Sequence, residues 1–201
     1  MKFDEQLARI MAKLEVAKAR DPGLEIFGAD SHRYAFNPPA SRRDVGEFEE
    51  KTGVRLPEDY VAFLTTIGNG GPGHFGGAGP YHGVYRLGDF GFMPVDAASM
   101  SAPCVITSAL SKEQWREMTD FDCQDPPPPD EDQRTLALFA GLMTIGTQGC
   151  SYQTMLALNG IDRGRVVFVD QDLAMPSLAK QRNFLDWYEA WLDRLAAGKV
   201  Q

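Results

Sequence analysis

Near the C-terminal end of the chain Phe184, Trp187, Tyr188, Trp191, Leu192 and Leu195 recur at helical spacing, which loads one face of a single helix with aromatic and aliphatic bulk. A stripe of that kind folds only against something equally apolar. The segments before it supply a partner: Met143 to Ile145, Tyr152 to Leu158 and Val166 to Val169 read as strands. The last two are joined across Asn159-Gly160-Ile161-Asp162-Arg163-Gly164, a turn-rich connection that predicts an antiparallel hairpin. The final helix is therefore expected to cover one face of a sheet that contains this hairpin.

Upstream, Phe3, Leu7, Ile10, Met11 and Leu14 fall at helical spacing, and Asp21-Pro22-Gly23 stops the helix they define. Ser41 with Asp44 three residues later has the form of a capping box for a second helix, which carries Val45 and Phe48 and ends at Gly53. Pro57 suits the first turn of a third helix, where its missing N–H costs nothing. On that helix Tyr60, Phe63, Leu64 and Ile67 form one stripe, closed by Gly68 and Asn69. Gly68 to Gly83 holds eight glycines in sixteen residues, which predicts the most flexible segment of the first half. Tyr85 and Leu87 suit a short strand, and Ser111 to Met118 a brief helix with Ser111 and Gln114 at capping-box spacing. Between Asp120 and Asp132 the run DFDCQDPPPPDED carries six acids, no base and four prolines, and so predicts an exposed, extended loop. No repeat or linker divides the chain, and residues 1–201 are expected to form one domain with two distinctive loops, near 68–83 and 120–133.

The net charge of −8 argues against direct nucleic-acid binding, which draws on clustered Lys and Arg, and is compatible with a basic protein partner. Cys104, Cys123 and Cys150 are odd in number and lack metal-ligand spacing, so reduced thiols are expected. Met1 to Ala19 is charged throughout, which fits neither a signal peptide nor a membrane span and predicts a cytoplasmic protein.

The segment from Val45 to Gly71, VGEFEEKTGVRLPEDYVAFLTTIGNGG, resembles the signature of the SUKH superfamily, which includes the Smi and Knr type regulators. The residues that carry the likeness are Leu56-Pro57, Tyr60, Phe63-Leu64 and the exit Asn69-Gly70-Gly71. Residues 41 to 71 match well, and residues 139 to 195 match in outline through Ile145-Gly146, the strand hairpin and Phe184-Leu185. The resemblance implies an α+β fold with a mainly antiparallel sheet packed against several helices, and no catalytic apparatus. It also implies an immunity protein that neutralises a bacterial toxin by direct binding, or a regulator or scaffold of the same fold. No cofactor or metal is expected. The six acids Asp120, Asp122, Asp125, Asp130, Glu131 and Asp132 are the candidate partner-binding residues, facing a basic toxin domain.

Several constellations imitate chemistry. Gly71-Pro72-Gly73-His74-Phe75-Gly76 satisfies G-x-G-x-x-G but follows a helix and opens none, which is the wrong context for a dinucleotide. His32, His74 and His82 do not share adjacent turns of one helix and read as surface or hydrogen-bonded side chains, the alternative being a metal held by His74 and His82, which flank one loop, with Cys150 or an acid. Glu49-Glu50 and Glu58-Asp59 read as helix-surface neighbours. Cys150, in Gly149-Cys150-Ser151 before a strand, reads as a buried structural thiol; an enzyme using Cys150 or a histidine beside the glycine-rich loop is the alternative of a different class.

Overall fold

The computed structural model describes residues 2–72, 76–91, 93, 95–123, 126 and 128–199. In chain order the helices are α1 (Asp4–Arg20), α2 (Ala29–His32), α3 (Arg42–Thr52), α4 (Glu58–Thr66), α5 (Ala97–Ser101), α6 (Lys112–Met118), α7 (Glu131–Leu138) and α8 (Phe184–Ala196). Strands β1 (Leu142–Gly149), β2 (Tyr152–Ala157), β3 (Val166–Asp170) and β4 (Ser177–Leu178) form an antiparallel meander in the order β1-β2-β3-β4. The fold is α+β.

Side chains alternate across this sheet, and both faces are covered. Met143, Ile145, Leu156 and Val166 enter an apolar cluster shared with α1, α3, α4 and α8. Leu142, Met155, Ala157, Val167 and Val169 enter another, shared with α6, α7 and the turn between them. The strands carry apolar residues at consecutive positions because neither face meets water.

At the centre of the first cluster Phe63 packs against Phe184 and Tyr188 with ring centroids 5.0 and 4.8 Å apart, and Tyr60 meets Phe184 at 4.8 Å. Helix α3 starts at the capping box: the Ser41 hydroxyl accepts from the Asp44 N–H, and the Asp44 carboxylate accepts from the Ser41 N–H. It ends at Gly53, with φ +70°. Pro57 stands just before α4, at its cap position.

Four segments differ from the sequence expectation. Tyr85 and Leu87 form no strand; the region makes one bridge, Gly77 to Val84, while the Tyr85 N–H donates to Ile145 and the His82 N–H to Thr147. Residues 82–85 thus cover the outer edge of β1 without a regular ladder, because Gly83 takes φ +91° and turns the chain out of an extended path. The glycine-rich segment is packed: Gly76 to Pro80 and Val84 are buried, and the Tyr188 hydroxyl donates to the Ala78 carbonyl at 2.7 Å. Residues 120–132 are only partly a loop. Asp120–Cys123 forms a 3-10 turn with Phe121 buried, and Glu131 and Asp132 begin α7. Finally, Asp59 is buried, accepting from the Leu185 N–H at 3.1 Å at the start of α8; burial pushes its carboxyl up, against the backbone N–H groups that pull it down.

Helix α1 is fixed to α8 by Leu7, Ile10 and Ala17 and by polar contacts to Asp186, Asp193 and Glu189, of which Glu189 takes the most. Burial alone would push Glu189 up. The hydrogen bonds from Arg9, Lys13 and Gln6 outweigh it and hold the carboxyl down, to about 2. Its folded value lies below the ordinary one, so the stabilisation is present at neutral pH and is lost as pH falls from about 4.5 towards 2. Glu189→Gln is expected to remove roughly 1–3 kcal/mol at pH 7 and to flatten the loss of stability between about pH 5 and 3. Urea melts at stepped pH check this; a variant whose acid profile overlays the parent's would show that the cluster holds nothing.

Candidate functional site

The acidic residues singled out in the sequence are ordered by apolar anchors beneath them. Helix α6 begins at a second capping box, where the Ser111 hydroxyl accepts from the Gln114 N–H. It is pinned by Trp115, whose indole Nε1–H donates to the Leu173 carbonyl at 2.9 Å. The chain then turns over buried Phe121 and re-enters a helix at α7, with Leu138 buried at its end. Asp120, Asp122, Asp130 and Asp132 are exposed and Glu131 is half-buried; Glu113 and Glu117 of α6 are exposed nearby in sequence. Asp125 lies outside the described residues.

This group is not purely acidic. Arg134, one turn into α7, donates to Asp130 at 3.0 Å and lies over the Phe121 ring at 5.7 Å. Glu131 and Asp132 occupy the first turn of α7 and complement its dipole. Asp120, Asp122 and Asp132 make no hydrogen bond or ion pair through their carboxylates among the described residues, and they are the charges free to meet a partner.

The signature residues are internal. Leu56, Pro57, Tyr60, Phe63 and Leu64 are buried. Asn69 reaches across to accept the Leu87 N–H at 2.8 Å, and Gly70, at φ +69°, stands where a Cβ would meet the Arg86 backbone at 2.5 Å. Gly71 likewise leaves room for the Gly76 carbonyl, and its own carbonyl accepts from the Asn37 side chain at 2.7 Å. The Asn-Gly-Gly exit therefore docks one loop upon another.

The candidate reactive groups are dispersed. His32 is buried, with Nδ1 accepting from the Tyr34 N–H at 3.0 Å; burial pushes its pKa down to about 4 and keeps the ring neutral. His82 lies 3.1 Å from the Ser31 hydroxyl through Nδ1 and edge-on to Phe27. His74 lies outside the described residues. Cys104 donates to the Ile106 carbonyl, and burial pushes its thiol up to about 11. Cys150, expected to be buried, is exposed at the β1–β2 turn with φ +50°; the two-residue connection leaves its side chain outside both cores. A Cβ on Gly149 would stand 3.3 Å from His82 Nε2, so the turn does approach that histidine, but on an open surface. Among the described residues no group of three or more His, Cys, Asp or Glu could hold a metal ion.

One concavity was not anticipated. Helices α1, α3 and α4 enclose an open groove of about 700 Å³ whose apolar lining includes Leu7, Val45, Leu56, Val61 and Ala62. Lys2, Arg42, Arg55 and Arg163 stand among its polar residues, with Asp4, Glu49 and Glu58. Glu49 belongs to the scaffold, accepting from the Leu56 N–H at 2.8 Å and from Arg55 at 2.7 Å.

A family model described as SMI1 / KNR4 family (SUKH-1) matches residues 39–190, more than half of the chain. The chain belongs to the SMI1/KNR4 (SUKH-1) family. This is a family of immunity and regulatory proteins and not a typical enzyme family, and it points to protein–protein interaction. No curated protein matches the chain. The SUKH-1 match spans α3 to the middle of α8, and α1 and α2 lie outside it. Among the described residues no helix is long and apolar enough to cross a membrane.

Proposed function

We propose that this SUKH-1 chain is a cytoplasmic, non-enzymatic protein-binding module, residues 1–201 acting as one domain, and specifically an immunity protein that neutralises a toxin by direct binding. The observation that carries the reading is family membership over residues 39–190. The unpaired carboxylates of Asp120, Asp122 and Asp132, set on a ledge anchored by Phe121 and Trp115, support a basic surface as the target. Fixed charges on an anchored ledge steer encounter with little ordering cost on binding.

The experiment is co-purification from the native cell, followed by association kinetics with the partner recovered. Replacing Asp120, Asp122 and Asp132 together by Asn should slow association about tenfold at low salt. The difference should shrink near physiological ionic strength, where exposed charges are screened over about 8 Å. An unchanged rate at low salt would remove the acidic ledge from the interface. A partner that is neither a toxin nor inhibited on binding would replace immunity by regulation.

A further inference from the structure

Gly46 sits in the interior of α3, an eleven-residue helix, where glycine is a poor choice because it loses more backbone freedom on ordering than any other residue. Helical glycines are usually explained by a neighbour that needs the space. Here a Cβ would meet nothing within 4 Å. The space it would enter belongs to the groove between α1, α3 and α4, which Gly46 lines. Nothing among the described residues calls for a missing side chain at this point, whereas close approach of a bound backbone would.

The charges around the groove point to what approaches. Two of its acids are already matched, Glu58 to Lys2 at 3.1 Å and Glu49 to Arg55 at 2.7 Å. Arg163 donates only to the carbonyls of Arg55 and Leu56, at 3.0 Å each, and pairs with no carboxylate among the described residues. Arg42, one helical turn before Gly46 and so on the same side of α3, makes no hydrogen bond or ion pair with any described residue. Asp4 is the groove's third acid, so four cations against three carboxylates leave the lining net positive in a chain of net charge −8. Two guanidinium groups that pair with no carboxylate among the described residues stand above its apolar lining. Guanidinium is the side chain best suited to hold a carboxylate through paired hydrogen bonds.

We propose that the groove binds a peptide segment of a protein partner, one that lays apolar side chains against Leu56 and Val61, passes its backbone close over Gly46, and presents a carboxylate to Arg42 and Arg163. A segment rather than a small molecule fits because the concavity is open and walled by helices, the shape in which peptides dock. The inference rests on the reading of the chain as a protein-binding module and adds a contact on the opposite side of the sheet from the acidic ledge.

The test uses the full chain and a random twelve-residue peptide library displayed on phage, with enriched peptides then synthesised and titrated. Enriched peptides should combine apolar residues with Asp or Glu, and should bind Gly46→Leu and Arg42→Glu at least tenfold more weakly than the parent. Gly46→Leu should melt no lower than the parent, since a Cβ there meets nothing within 4 Å and leucine favours a helix interior over glycine. Should leucine perturb the fold, Gly46→Ala supplies the same test with a single methyl. Peptides indifferent to both substitutions, basic peptides, or no enrichment of groove-dependent binders would each overturn the proposal. Self-association of the parent that Gly46→Leu abolishes would name a second copy as the occupant and overturn it equally. None of these outcomes bears on the acidic ledge, whose association test decides that surface separately.

Discussion

Phe63→Ala is expected to cost about 3–5 kcal/mol, through lost transfer energy and the cavity left behind. Phe63 is fully buried where α4 meets α8, with Phe184, Tyr188 and Phe36 at ring separations of 5.0, 4.8 and 5.8 Å. Those rings belong to elements that converge from distant parts of the chain, so no local rearrangement can close the space. Against the roughly 5–15 kcal/mol that holds a domain folded, the loss is a large share, and thermal melting should fall by roughly 6–20 °C. Phe63→Leu, which keeps most of the volume, should cost under about 2 kcal/mol. A Phe63→Ala protein with the parent's melting temperature that no longer binds its partner would move Phe63 from the core to the recognition surface.

The elements that could be read from the sequence are those in which one local signal coincides with the tertiary demand. Helices α1, α3, α4 and α8 combine an apolar stripe with a stop or a cap. The boxes at Ser41 and Ser111 form as their spacing predicts. The elements that escaped are those in which packing overrides a weak local pattern. Helix α7 opens with Glu131 and Asp132 directly after a proline run, and an acidic stretch without apolar period reads as loop until Leu138 is seen to be buried. Strand β4 is two residues long and has no period to read.

Recognition surfaces were less legible than the core. The six acids were visible as a run, but their sorting was not: Asp130 is taken by Arg134, Glu131 is half-buried, and the remainder depends on Phe121 reaching the core. Asp59 looked like a surface carboxylate because its partner, the Leu185 N–H, lies in another helix far along the chain. The groove is assembled from Arg42, Gly46 and Arg163, which only the fold brings together. Its one sequence-level mark was a glycine inside a well-capped helix, a local cost without a local reason, and such inconsistencies are where function is to be sought.

The glycine-rich segment yields the sharpest second expectation, because composition alone predicts the opposite of what packing requires. Gly83→Ala should cost about 2–5 kcal/mol, combining steric overlap with left-handed backbone strain. A Cβ at Gly83 would stand 2.0 Å from the Gly77 carbonyl oxygen, and φ there is +91°. Neither partner can yield cheaply. The Gly77 carbonyl accepts from the Val84 N–H at 2.9 Å, the Gly83 N–H donates to Pro80 at 3.0 Å, and the flanking N–H groups of His82 and Tyr85 hold the edge of β1. Gly53→Ala isolates the strain, since φ is +70° at the end of α3 and a Cβ would meet nothing within 4 Å; it should cost only about 1–2 kcal/mol. Comparing the two variants by urea denaturation separates overlap from strain. Equal losses would mean that the segment shifts freely away from β1, and that its glycines serve only a loosely held loop.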